Sequence, residues 1–220
     1  MSKIVALIGS PKPKKSSSSA IVHRISEILH KDITQYRALD IINAPNRNVI
    51  ENEILQADIL LFVFPLYVDS LPGSLLEAMV DLEKTLQNST KSLPKVYAIC
   101  NCGFYDAEQT TIALDIIQNY CHKTGLTWEY GIGIGCGGMI AEDPSKIKAQ
   151  GPLGNIFKVL SELCTDISQG FNEKKDNIFV KASIPRFLYH FGGNMGWNII
   201  AKHNNVKKML RAKPHDITKN

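Results

Sequence analysis

The segment ADILLFVFP, residues 57–65, constrains the fold most, because apart from Asp58 it carries no polar side chain along the length of a strand. Successive side chains of a strand point to opposite faces, so an unbroken apolar run needs cover on both. A central strand of a parallel sheet, with helices above and below, meets that need. Pro65 ends the run. Strand-like stretches at 4–8, 33–39, 95–100 and 127–134 alternate with helical patterns over 20–29, 72–86, 107–123 and 153–169. Ile21, Ile25, Ile28 and Leu29 share one face of the first helix, and Leu75, Leu76, Met79 and Leu82 share one face of the second. Pro72 suits a first helical turn, and Gly125 stops the third helix. The alternation predicts an α/β, doubly wound three-layer sandwich. In such sheets ligands bind outside the carboxyl ends of the strands. Chemistry is therefore expected in the loops after Ile8, Phe64 and Cys100.

At 220 residues, 44% hydrophobic and 21% charged, the chain has the make-up of a globular domain with an appendage, which excludes collagen-like, disordered and disulfide-scaffold classes. Cys100, Cys102, Cys121, Cys136 and Cys164 are an odd number, with no C-x-x-C, and no two histidines have ligand spacing. Structural, reduced thiols and no metal site are expected. The opening MSKIVALIGS has an apolar run of five residues before a glycine, too short for a signal peptide, so a cytoplasmic location is expected.

The loop GSPKPKKSSSS, residues 9–19, joins the first strand to the first helix and places Ser16 to Ser19 at the helix start. A helix N-terminus has unpaired backbone N–H groups and the positive end of the dipole, so adding hydroxyl donors favours a phosphate dianion. An N-cap serine in a polar loop is the competing structural reading. A Walker A loop fits Gly9, Lys15 and Ser16, but Lys14 stands where the second glycine is needed, which keeps a P-loop NTPase as a remote alternative. Gly133, Gly135 and Gly138 match G-x-G-x-x-G by chance: no immediate helix follows, and Lys158 stands near the position of the acidic ribose ligand. These glycines suit a backbone that passes close to a ligand or a neighbouring loop.

The second loop, PLYVDSLPGSL (65–75), and the third, NCGFYDAEQ (101–109), each pair ring or aliphatic side chains with residues that expose backbone amides. Tyr67 or Phe104 alone reads as core or turn packing. On adjacent loops beside a phosphate site, they suit a flat heterocycle with a polar rim. Together the three loops resemble those of the flavodoxin-like NAD(P)H-dependent FMN reductases and quinone reductases, over about residues 1–170. The resemblance implies a five-stranded parallel sheet in the order 2-1-3-4-5 and one non-covalent FMN. Position by position it implies Ser10, Ser16, Ser17 and Ser18 at the phosphate. It also implies Pro65, Leu66, Tyr67 and Val68 beside the isoalloxazine, and Asn101, Cys102, Gly103 and Phe104 on the second ring loop. Lys12, with Lys14 and Lys15, reads first as a solvated basic loop and second as charge that neutralises the FMN phosphate or a 2′-phosphate of NADPH.

The reaction so implied takes hydride from NADPH or NADH and passes electrons to a small acceptor, a flavin, quinone or nitroaromatic. The cofactor carries that chemistry, so no catalytic side chain is required. A flavodoxin-type electron carrier is the alternative, although such carriers dock through an acidic face. A homodimer is a further expectation of the resemblance.

The net charge is +4, unevenly spread. Residues 184–220 hold Arg186, Lys202, Lys207, Lys208, Arg211, Lys213 and Lys219 against Asp216, a net of +6. The other 183 residues hold 18 basic against 20 acidic side chains, a net of −2. The C-terminal extension, placed at 173–220, also carries Phe187, Leu188, Tyr189, Phe191 and Trp197. Packing of these aromatics over the sheet, near the flavin or across a dimer interface is expected; contact with a membrane surface or an acidic redox partner is the second reading. There is no nucleic-acid motif.

Overall fold

In the computed structural model, the described residues are 2–13, 15–42, 45, 47–141, 150–170 and 175–212. Strand β1 (Ile4–Ile8) leads through the serine loop to α1 (Ser17–Leu29), then to β2 (Thr34–Arg37) and two short helices, α2 (Ala38–Ile42) and α3 (Arg47–Leu55). There follow β3 (Ile59–Pro65), α4 (Gly73–Gln87), β4 (Lys95–Asn101), a 3₁₀ turn at Ala107–Thr110 and α5 (Thr111–Thr124). Strand β5 (Thr127–Ile134), α6 (Gly154–Gln169) and β6 (Ile178–Val180) follow, and α7 (Arg186–His203) comes after them in the chain. The chain forms two compact units, Met1–Ser183 and Ile184–Asn220.

All strand pairs are parallel, and the order is β2-β1-β3-β4-β5-β6. Burial explains the arrangement. Val5, Leu7, Leu60, Phe62, Phe64, Val96, Ala98 and Cys100 alternate along β1, β3 and β4 into one cluster with Leu75, Met79 and Leu82 of α4 and Leu114 and Ile117 of α5. The intervening Ile4, Ala6, Leu61, Val63 and Ile99 are also buried, on the opposite face by the two-residue period of a strand. Helices α1 and α6 pack together, and α1 packs on β3. Helix α3 is fixed to α4 by Arg47, which pairs with Glu51 at 2.5 Å and Asp81 at 2.9 Å, while the Thr85 hydroxyl donates to Glu51 at 2.8 Å.

The sheet corrects the expectation of five strands, because β6 is a sixth. Without it β5 would end the sheet with a row of unpaired backbone groups. Ile178, Phe179 and Val180 pair with Ile132, Gly133 and Ile134. Glycine makes the pairing possible: a Cβ on Gly133 would lie 2.7 Å from the Phe179 ring. The Asn177 carboxamide oxygen accepts from Gly131 N–H at 2.7 Å, and Gly135 N–H donates to the Val180 carbonyl at 2.9 Å. Strand β6 falls within the stretch expected to belong to the extension.

In the C-terminal unit the aromatics expected to pack are exposed, Phe191 at 64% and Trp197 at 67%. Asn205, at φ 59°, ends α7 in a left-handed turn in which Val206 N–H donates to the Ala201 carbonyl at 2.8 Å. Among the described residues no helix is long and apolar enough to cross a membrane.

Candidate functional site

The carboxyl ends of β1, β3, β4 and β5 open onto one cleft of about 420 Å³. The first loop gives it Ser10, Lys12, Ser16, Ser17 and Ser18, the second Pro65, Leu66 and Tyr67, and the third Asn101 and Gly103. Ten residues singled out from three separate loops therefore meet in one place. Gly137, Gly138, Ile140 and Ala141, from the loop after β5, complete the lining; of these only Gly138 was noted, as a glycine that suits a backbone close to a ligand. Lys14 lies outside the described residues.

Ser16 is the N-cap of α1. Its hydroxyl accepts from Ser19 N–H at 3.1 Å, and the Ser19 hydroxyl accepts from Ser16 N–H at 3.0 Å, a closed capping box. The structural reading of Ser16 thus holds. The first intrahelical bond, from Ala20 N–H to the Ser16 carbonyl at 3.0 Å, begins beyond Ser17 and Ser18. Their amides are among those that helix geometry leaves without a backbone acceptor. No acidic residue stands in the first turn to neutralise the positive end of the dipole. The Ser17 hydroxyl donates to the Ile140 carbonyl at 3.0 Å, and the Ser18 hydroxyl to Asn101 Oδ1 at 3.3 Å, so loop 1 is tied to both opposing loops. Ser10 Oγ accepts from Lys12 N–H at 3.4 Å.

Loop 2 is a tight turn. Tyr67 and Ser70 exchange both backbone hydrogen bonds at 3.0 Å, around Val68 at φ 49° and Asp69 at φ 57°. Two left-handed central residues make it the mirror-image turn of hairpins, which favours Asn and Gly. A β-branched residue there is strained by about 1–3 kcal/mol. Val68 is 98% exposed and does not line the cleft.

Loop 3 is held from both sides. Leu66 N–H donates to the Asn101 carbonyl at 2.9 Å, Cys102 N–H to Ile134 at 2.8 Å, Gly137 N–H to Cys102 at 2.7 Å and Cys136 N–H to Phe104 at 2.7 Å. Gly137 is required for this: a Cβ there would lie 2.7 Å from the Cys102 carbonyl oxygen. Gly103 differs, because nothing lies within 4 Å of the place its Cβ would take and it lines the cleft. Bare backbone is thereby presented to whatever occupies the space. Cys102 is buried away from the cleft, and Phe104 is 54% exposed and does not line it. Behind the loop Asp106 pairs with Lys181 at 2.9 Å, and Lys181 lies over the Tyr105 ring at 4.3 Å. Strand β6 is thus coupled to the third loop.

All five cysteines are free and buried. Burial pushes Cys100 well above its ordinary range, raises Cys102 and Cys136, and takes Cys121 and Cys164 up to about 12. They are protonated thiols at neutral pH, in keeping with a packing role.

No protein-family model and no curated protein sequence matches the chain. Solved structures do. An NADH:FMN oxidoreductase in its apo form aligns with a TM-score of 0.54 at 14% identity, over 79% of this chain and 91% of that one. The Trp repressor binding protein from Bacillus subtilis aligns at 0.52 and 14%, over 79% and 100%. An NAD(P)H:quinone oxidoreductase from Methanothermobacter marburgensis aligns at 0.51 and 13%, over 79% and 98%. At these identities the likeness is one of fold. In this chain the first five strands run in the flavodoxin-like order 2-1-3-4-5, and β6 follows β5.

Proposed function

We propose that the chain is an FMN-dependent oxidoreductase that takes hydride from NADH or NADPH and reduces a small acceptor, a flavin, quinone or nitroaromatic. The observation that carries this reading is the convergence on one cleft of a serine-rich helix start, the Pro65, Leu66 and Tyr67 side chains, and Asn101 with Gly103. Fold likeness to an NADH:FMN oxidoreductase and an NAD(P)H:quinone oxidoreductase agrees with it, but folds host many functions, so the argument rests on the site.

The residues present suit FMN. The first turn of α1, with the Ser17 and Ser18 amides and no acidic residue in that turn, and the cleft-lining Lys12 suit a phosphate dianion. Tyr67, Pro65 and Leu66 offer an aromatic and two apolar surfaces for a flat ring, and Gly103 leaves the opposite backbone bare. Asn101 can hydrogen-bond a polar rim through its carboxamide nitrogen while its oxygen stays on Ser18. Bound there, FMN supplies the acceptance of hydride from a nicotinamide and its release to a second substrate. The chain's own part is to hold phosphate and ring, to exclude water from one ring face, and to keep the loops rigid through backbone bonds. No side chain is assigned a proton transfer.

Anaerobic mixing of the FMN-loaded protein with NADPH and with NADH tests the reading. Bleaching of the flavin absorption by either supports it. A flavin that binds yet stays oxidised with both donors refutes the reductase.

A further inference from the structure

Helix α7 carries Lys and Arg only at its ends. Residues 187–201 contain no Asp, Glu, Lys or Arg, whereas Arg186 precedes them and Lys202, Lys207, Lys208 and Arg211 follow. Leu188, Phe191, Met195 and Ile199 form one stripe at helical spacing, which Lys202 continues. Phe187, Phe191, Trp197, Ile199 and Ile200 are each more than half exposed. Three glycines, Gly192, Gly193 and Gly196, interrupt the helix, and nothing lies within 4 Å of their Cβ positions. Each interior glycine weakens a helix in water. A helix so built has little reason to persist with its aromatics in solvent, and gains one where an apolar phase meets a layer of negative charge.

We propose that the Ile184–Asn220 unit binds the surface of an anionic membrane, α7 lying in the interface and the cations around Lys207 meeting lipid headgroups. Charge complementarity names the occupant. The unit carries +6, with Asp216 as its sole acidic residue. An acidic protein partner calls for cations spread over the contact, and α7 has none along its middle. A second copy would set +6 against +6. The helix is too polar to span a bilayer. Nothing in this proposal depends on flavin chemistry.

Co-sedimentation of the full-length protein with phosphatidylcholine–phosphatidylserine vesicles, against vesicles of phosphatidylcholine alone, tests it. Binding to the anionic vesicles is expected to be at least about tenfold tighter and to weaken as salt is raised. Lys207→Ala/Lys208→Ala/Arg211→Ala should weaken it about a hundredfold. Phe191→Ser/Trp197→Ser should abolish it, with circular dichroism unchanged for the sheet domain. Equal binding to both vesicle types, or none to either, overturns the proposal whatever the variants do. So does a lipid-free dimer that Phe191→Ser/Trp197→Ser disperses, since the occupant is then a second copy.

Discussion

Replacing Gly103 and Gly137 in turn by alanine separates the ligand's space from the protein's own packing. At Gly103 nothing lies within 4 Å of the new methyl group, so folding meets no obstacle. The loss of unfolded-state freedom then adds about 0.4–1 kcal/mol of stability. The same methyl enters the space assigned to the ring, and overpacking of that kind costs about 1–3 kcal/mol. FMN affinity should therefore fall roughly 5- to 150-fold, at about 1.4 kcal/mol per factor of ten. At Gly137 the methyl would sit 2.7 Å from the Cys102 carbonyl oxygen, which is backbone, and 3.3 Å from Asn101 Nδ2. The loops after β4 and β5 must separate, straining the 2.7 Å bond from Gly137 N–H to Cys102. Net destabilisation of about 1–2 kcal/mol follows, after the entropic gain is subtracted. Urea unfolding of the flavin-free protein reads stability, and quenching of FMN fluorescence reads affinity. A Gly103→Ala protein that binds FMN as tightly as the parent refutes the ring's placement over that backbone. A Gly137→Ala protein of unchanged stability refutes the account of how the loops are held together.

Val68→Asn should relieve the left-handed strain of the Tyr67–Ser70 turn and raise stability by about 1 kcal/mol, a melting shift of about 2–4 °C; a lower melting temperature counts against it. Asn177→Ala removes the acceptor for the buried Gly131 N–H and should cost about 1–3 kcal/mol in urea unfolding, whereas no loss would mean that β6 needs no such clasp. For the thiols the sign follows from linkage. Cys121 and Cys164 ionise near 9 when unfolded but near 12 when folded, so their contribution is complete below pH 9 and is lost as pH rises from about 9 towards 12. Native protein should accordingly resist a thiol-specific disulfide reagent at pH 8 and react at all five cysteines once denatured; rapid native reaction at these two refutes their burial.

The central strands were legible because their burial is two-sided. Apolar runs at Ile4–Ile8, Ile59–Pro65 and residues 96–100 leave few alternatives to a covered parallel sheet. Strand β6 was not, since Ile178–Val180 is three residues long and half-buried, and its place depends on Gly131 and Gly133 far away in sequence. Helices α2 and α3 were missed for a related reason: they are short, α2 entering the core through only Ala38 and Ile41, and α3 through Ile50 and Ile54 with Arg47 and Glu51 tying it to α4. In the cleft, the serines and Tyr67 announced themselves by residue type and position. Gly137, Gly138, Ile140 and Ala141 did not, because their loop is held through backbone bonds from Cys136 and Gly137 to Phe104 and Cys102, and they have no distinctive side chain. The glycine cluster was the available signal: its reading as room for a neighbouring loop fits Gly135, whose Cβ would lie 2.5 Å from the Tyr105 carbonyl oxygen, and its reading as backbone close to a ligand site fits Gly138, which lines the cleft. The tail's aromatics were expected to pack, since burial is the commoner fate of such residues. In the single chain Phe187, Phe191 and Trp197 are exposed.

The central claim is that the cleft holds one FMN, its phosphate at the start of α1. Titration of the flavin-free protein with FMN, followed by flavin fluorescence, tests it most directly. Quenching that breaks at one FMN per chain, weakened by Ser17→Ala/Ser18→Ala at unchanged fold, is the predicted result. A chain that is isolated colourless and leaves added FMN unquenched at every ratio contradicts the account.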